Sequence, residues 1–159
     1  MEDTNYKTLL GVLIKGMSED YDGSKSVTHH ELRLVVGATP PILISLGFTQ
    51  LPLTIDGRVI DKAHFDHGIS KGRLERIYSL IASPKAIYKA HLDNPGSVVV
   101  TYEMQNSNPI IIPIHPNRQK GRHEFSNVIA SVYPKASGGG SVEVRWKKDG
   151  LLLWEAPPK

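Results

Sequence analysis

Residues 126–133 read Ser-Asn-Val-Ile-Ala-Ser-Val-Tyr. In a strand, successive side chains point to opposite faces. Val128, Ala130 and Val132 then form one apolar face, and Asn127, Ile129, Ser131 and Tyr133 form the other. An amide, a hydroxyl and a phenol along one face can hold a substrate and steady a developing negative charge.

Histidines supply the groups that move protons near neutral pH. Ile60, Ala63 and His67 fall at i, i+3 and i+7, a single helical stripe that sets His67 at the end of an apolar face. His115 alternates with Ile110, Ile112 and Ile114, so it should share the face opposite to them with Ile111 and Pro113. Val98, Val100, Tyr102 and Met104 read as core, which turns Thr101 and Glu103 the other way. Thr101, Glu103, His115, Asn127, Ser131 and Tyr133 would then line one open, concave sheet surface. For any one of them, a half-solvated antiparallel sheet is the plainer reading. The combination of His, Tyr, Ser and Glu favours a site.

Other chemistries find less support. His64 and His67 stand one helical turn apart near Asp61 and Asp66, but a second ligand pair is missing and no metal is expected. His29-His30 lies in a polar stretch and reads as solvent-exposed. Gly138-Gly139-Gly140 lacks the Lys-Ser/Thr of a phosphate loop, and no serine sits in a nucleophile elbow.

The elements that must position these residues are legible in outline. An apolar segment at 8–14 precedes a polar, turn-rich stretch, 18–30, read as a mobile loop. Leu32, Leu34 and Val36 suggest a short strand. Thr39-Pro40 opens a helix, with Thr39 as N-cap and Pro40 in its first turn, that Gly47 stops. Residues 51–55 are extended, and helices follow over 58–67 and 71–82, the second capped by Ser70. Beyond Pro84 the texture is strands, at 85–91, 97–104, 109–115 and 122–133, separated by Asp93-Asn94-Pro95-Gly96 and Gln105–Asn108. Lys135–Gly140 reads as a flexible loop. Residues 142–146 read as an alternating stretch or a short helix before a last strand at 150–154. The fold class is α+β: N-terminal helices packed on a four- to five-stranded antiparallel sheet.

The chain has 159 residues, 40% hydrophobic and 22% charged, which suits one domain, 1–159, with a segment at 1–31 and a core at 32–155. A formal charge of +3 and a pI near 9.1 fit an anionic partner without requiring one. With no cysteine there is no disulfide framework. The run Leu9–Ile14 is too short for a signal peptide, and no segment is long enough to span a bilayer. A cytoplasmic location, with no membrane contact, is expected.

Several features recur together in a known order: Val36-Gly37-Ala38-Thr39-Pro40, Leu46-Gly47, the helix ending at His67-Gly68, Leu80 with Ser83-Pro84, the hairpin strands, Asn127-x-Ile129-x-Ser131-Val132-Tyr133, and Gly150-Leu151-Leu152. Over about residues 32–155 the chain resembles the C-terminal toxin-like domain of phage MuF-type proteins. That domain is placed in the barnase, EndoU, colicin and RelE-like nuclease group. The resemblance implies helices on a four-stranded antiparallel sheet, RNA cleavage without a metal or cofactor, and an inhibitor protein that holds the toxin in check. It assigns His67, His115, Ser131 and Tyr133 as catalytic. In that chemistry His67 and His115 are the acid–base pair, and Lys71 or Arg122 joins the two hydroxyls in steadying phosphate oxygens. Asn127 joins the substrate contacts, with Glu103 as a substitute base. A non-catalytic phage or plasmid inhibitor on the same fold, or a small transferase, are the competing expectations.

Overall fold

The structure is a computed structural model and describes residues 1–19, 27–90, 96–136 and 142–158. The turn at Asp93–Pro95 and residues 137–140 of the predicted flexible loop lie outside the described residues, as do residues 20–26 of the predicted mobile loop.

The apolar segment at 8–14 is part of a longer helix, α1 (Tyr6–Glu19). Tyr6, Leu10, Leu13, Ile14 and Met17 are its buried residues, at the spacing of one helical face. A second helix, α2 (Val27–Glu31), replaces part of the expected loop. It is docked by His30, whose Nε2 lies 2.6 Å from Asp61 Oδ2, so His30 is not the solvent-exposed loop residue the sequence suggests. Close approach is possible because Gly57 has no side chain: a Cβ there would lie 1.7 Å from the His29 carbonyl oxygen.

Strand β1 (Arg33–Ala38) is followed by helix α3 (Pro41–Ser45) and strand β2 (Pro52–Asp56). Pro40, not Thr39, is the N-cap of α3. Thr39 instead donates its hydroxyl to the Leu51 carbonyl. The predicted helix at 58–67 is α4 (Gly57–Asp61) running into a π-helical turn, Lys62–Asp66. It ends at Gly68, whose φ of 68° is one that a glycine adopts without strain. Helices α5 (Lys71–Glu75) and α6 (Ile77–Ala82) divide the predicted 71–82 helix at Arg76. Ser70 caps α5 by accepting from the Arg73 N–H at 3.2 Å.

Among the described residues, eight strands make one sheet, not four or five. The remaining ones are β3 (Ala86–Lys89), β4 (Ser97–Gln105), β5 (Asn108–Lys120), β6 (Glu124–Ile129), β7 (Tyr133–Pro134) and β8 (Leu152–Glu155). Their order is β1-β2-β6-β5-β4-β3-β8, with β7 beside β5. The pairing of β2 with β6 is parallel, so the sheet is mixed rather than wholly antiparallel. Helices are not confined to the N-terminal half: α7 (Val142–Lys148) precedes β8.

The sheet has two unequal faces. On one, α1 and α3 to α6 bury Ile87, Val99, Ile110, Ile112, Ile114 and Ile129 with Leu10, Leu53 and Leu74. Each such side chain, fully buried, stabilises the fold by roughly 1.5–3 kcal/mol. On the other, a smaller cluster of Ala86, Tyr88, Val100, Ile111 and Trp146 lies under α7. Ile111 and Ile112 thus belong to different cores, as strand alternation requires.

Candidate functional site along strand β5

Pairing register determines which residues share a face. Val99 stands opposite Ile112 and Val100 opposite Ile111. Directly opposed residues point the same way, so Val99 belongs to the helix-side core and Val98 and Val100 to the α7 side. This reverses the face expected for β4. Glu103 follows: its carboxylate bonds the guanidinium of Arg76, between α5 and α6, at 2.5 Å, on the helix side and away from the open surface. Thr101 is buried and donates to the Ile110 carbonyl at 2.8 Å. The sequence could not reveal this, because four consecutive apolar or β-branched residues, Val98–Thr101, fit either phase.

The 122–133 stretch also departs from a single alternation. Strand β6 stops at Ile129, and Ile129 faces the helix-side core together with Val132. The intervening irregular residues change the phase, so Tyr133 packs against the α7-side cluster instead. Asn127 keeps the phase of Ile129. It is 0% exposed, and its Nδ2 donates to Thr39 Oγ1 at 2.8 Å and to the Thr49 carbonyl at 3.0 Å. Its Oδ1 accepts from the Asn117 N–H at 3.0 Å. Asn127 therefore ties the loop before α3 to β5 and β6, and is closed to a substrate.

His67 and Tyr133 do come together, from elements far apart in the chain. Their ring centroids are 5.7 Å apart, with planes tilted by 37°. The His67 carbonyl accepts from Gln105 Nε2 at 2.8 Å, and Gln105 Oε1 accepts from Arg73. The end of β4 thus fixes the turn that carries His67. Burial pushes the Tyr133 phenol upward from its usual pKa. It stays protonated, a hydrogen-bond donor.

His115 lies further along. Tyr133 stands opposite Ile111 and Val128 opposite His115. Four residues of β5 separate these registers, about 13 Å of strand. Ser131 lies between them, because the neighbouring Ala130 N–H donates to the Pro113 carbonyl. His67, Tyr133, Ser131 and His115 thus form a row along β5 rather than a closed histidine pair. His115 Nδ1 is 3.0 Å from the Arg118 guanidinium. Burial, then the Arg118 charge, hold its pKa below the usual imidazole value. It is neutral at pH 7.

The two predicted cations do not meet. Lys71 lies over α1, where a Cβ on Gly11 would be 3.5 Å from its Nζ. Arg122 is in the β5–β6 turn, its carbonyl accepting from Gln119 Nε2 at 3.0 Å. His64 turns its Nδ1 to the Ile69 carbonyl oxygen at 2.8 Å, a bond within its own turn. Among the described residues, no three His, Cys, Asp or Glu side chains gather as a metal-binding group, and no helix is long and apolar enough to cross a membrane.

Sequence reasoning missed Arg33 and Arg118. Arg33 bonds Asp56 at 2.7 Å and reaches Ser126 Oγ at 3.3 Å. Its partners lie 23 and 93 residues away, and no local pattern announces them.

These features define an α+β domain with helices on one sheet face and a partly open, polar second face. The chain belongs to the phage MuF C-terminal domain family, whose model matches residues 58–159. The matched segment contains all eight residues singled out from the sequence, whereas the motifs at 36–47 precede it. No curated protein and no solved structure matches the chain.

Proposed function

We propose that the chain is a metal-independent endoribonuclease toxin, with His67 and Tyr133 at the reaction centre. The observation that carries this reading is the 5.7 Å approach of the two rings from separate elements. In the reaction the ribose 2′-oxygen attacks phosphorus and the bond to the 5′-oxygen breaks. His67 takes the 2′-hydroxyl proton as general base. The half-buried, protonated Tyr133 phenol gives a proton to the leaving oxygen. Ser131 steadies a non-bridging oxygen. The products are a 2′,3′-cyclic phosphate and a 5′-hydroxyl.

His115 takes a different part from the one the sequence suggested. Its place four residues along β5 from the register of Tyr133 suits contact with a neighbouring nucleotide. Glu103, held by Arg76, is a poor substitute base. An inhibitor protein with acidic residues that pair with Lys71 or Arg122 would keep such an enzyme silent.

A second reading, a non-catalytic docking protein, draws support from the spread of the polar row over about 13 Å of strand. Incubation with total cellular RNA in the presence and absence of EDTA, followed by end-group analysis, separates the two. The nuclease leaves cyclic phosphate ends with or without EDTA. A docking protein leaves the RNA whole.

A further inference from the structure

The π-helical turn that leads to His67 is closed by main-chain bonds. The His67 N–H donates to the Lys62 carbonyl at 2.9 Å, a step of five residues, and the Ile69 N–H donates to the Ala63 carbonyl at 2.9 Å. A wider turn of this kind re-aims the side chains after it, and such turns recur at functional sites. The last carbonyls of a helix have no partner within it. For His67 the partner comes from a distant strand: Gln105 Nε2 donates to its carbonyl at 2.8 Å, across 38 residues of chain.

Gln105 is itself held at its other end. Its Oε1 accepts from Arg73 Nη1 at 3.2 Å, and Arg73 Nη2 donates to the Met104 carbonyl at 2.9 Å. One guanidinium thus braces both the main chain and the amide at the end of β4. Gln105 is paired with Asn108, so Asn106 and Ser107 alone make the turn of the β4–β5 hairpin. Both have left-handed φ, 51° and 66°, as a two-residue turn of type I′ requires. Away from glycine that conformation carries strain. A turn this short fixes the register of β4 on β5, and with it the place of Gln105.

We infer that Gln105 is a positioning residue: it fixes the turn bearing His67 so that the imidazole meets the Tyr133 phenol. Tyr133 is paired with Ile111 of β5, the strand whose Asn108 is paired with Gln105. Both rings are therefore referred to one strand, His67 through the Gln105 amide and Tyr133 through its own main chain. The amide acts by its two ends, a donor toward His67 and an acceptor toward Arg73. A carboxylate accepts only, so glutamate would keep the bond to Arg73 and lose the one to His67. The assignment deepens the proposed function and rests on it for the use of the placement, whereas the placement itself is measured without RNA.

The test uses the full chain. Proton NOEs between the His67 and Tyr133 rings, with the His67 resonances identified by their loss in His67→Ala, read the 5.7 Å approach directly. The kcat and KM for cleavage of an RNA oligonucleotide in EDTA read its use. Gln105→Met keeps the bulk and removes both bonds, and Gln105→Glu removes the donor to His67 alone. Wild type should show the NOE, and both variants should lose most of it. Their kcat should fall about 10- to 100-fold, the scale of about 1 Å of misplacement, with KM changed less than about twofold. Gln105→Glu decides the matter if Gln105→Met does not fold. No NOE in wild type, an unchanged NOE in Gln105→Glu, or an unchanged kcat where wild type cuts RNA would overturn the assignment, whatever the loss of stability. Loss of the NOE in the variants of a protein that leaves RNA uncut would uphold the placement and remove the nuclease reading. Cleavage by wild type with NOE and kcat unchanged in both variants would do the reverse.

Discussion

At the scale of single residues, Asn127 and His115 show how a polar residue on an apolar strand can have opposite meanings. Asn127 is wholly buried with three hydrogen bonds. Its amide replaces water for groups that would otherwise be stranded in the core. Asn127→Ala should destabilise the protein by about 2–4 kcal/mol, on the scale of such stranded groups, as read from urea denaturation. An unchanged midpoint would return Asn127 to the list of substrate contacts. His115 keeps a partly open position, and its folded-state pKa lies below the unfolded value through burial and Arg118. As pH falls through the unfolded range near about 6.5, the unfolded chain binds the proton first. Stability should therefore fall with pH below that point and be fully present above it. Comparing urea midpoints at pH 5 and pH 7.5, His115→Gln should flatten this slope.

At the scale of elements, the helices and most strands were visible as periodicity, but their phases and partners were not. The Ser70 cap is a local signal, and it holds in the structure, whereas the apolar segment at 8–14 did not announce the helix it belongs to. Which face of β4 meets the helices depends on pairing with β5, and the face of Tyr133 depends on the irregular residues after Ile129. Neither is encoded within a strand's own residues, so Glu103 and Asn127 were assigned to the wrong surroundings. The meeting of His67 with Tyr133 is legible only as two residues each at the end of an element. The docking of α2 depends likewise on tertiary contact, through Gly57. A Cβ there would overlap the His29 carbonyl oxygen at 1.7 Å, and backbone cannot move aside as a flexible side chain can. Gly57→Ala should cost at least about 1–3 kcal/mol, the usual range for overpacking, measured as a fall in the urea midpoint. Wild-type stability would mean that α2 can lift away without loss.

At the scale of the whole molecule, the family segment and the folding unit differ in extent. The matched residues 58–159 exclude α1, β1, α3 and β2, yet Leu10, Leu13, Val36, Leu43, Leu53 and Ile55 from those elements fill the helix-side core. Strand β2 also supplies the parallel partner of β6. A fragment of residues 58–159 should therefore lack a cooperative thermal transition by circular dichroism, whereas the full chain has one. A cooperative fragment would show that the first elements are an addition to a self-sufficient core. Function is read at this scale too, because the row along β5 exists only once four elements are assembled. The central claim is that His67 moves a proton in cleavage of RNA. The most direct measurement is the initial rate of RNA cleavage in EDTA by wild type, His67→Ala and Tyr133→Phe. Wild type should cut, His67→Ala should be slower by about two to four orders of magnitude, and Tyr133→Phe should lose less. Intact RNA with wild type, or equal rates for wild type and His67→Ala, would contradict the account.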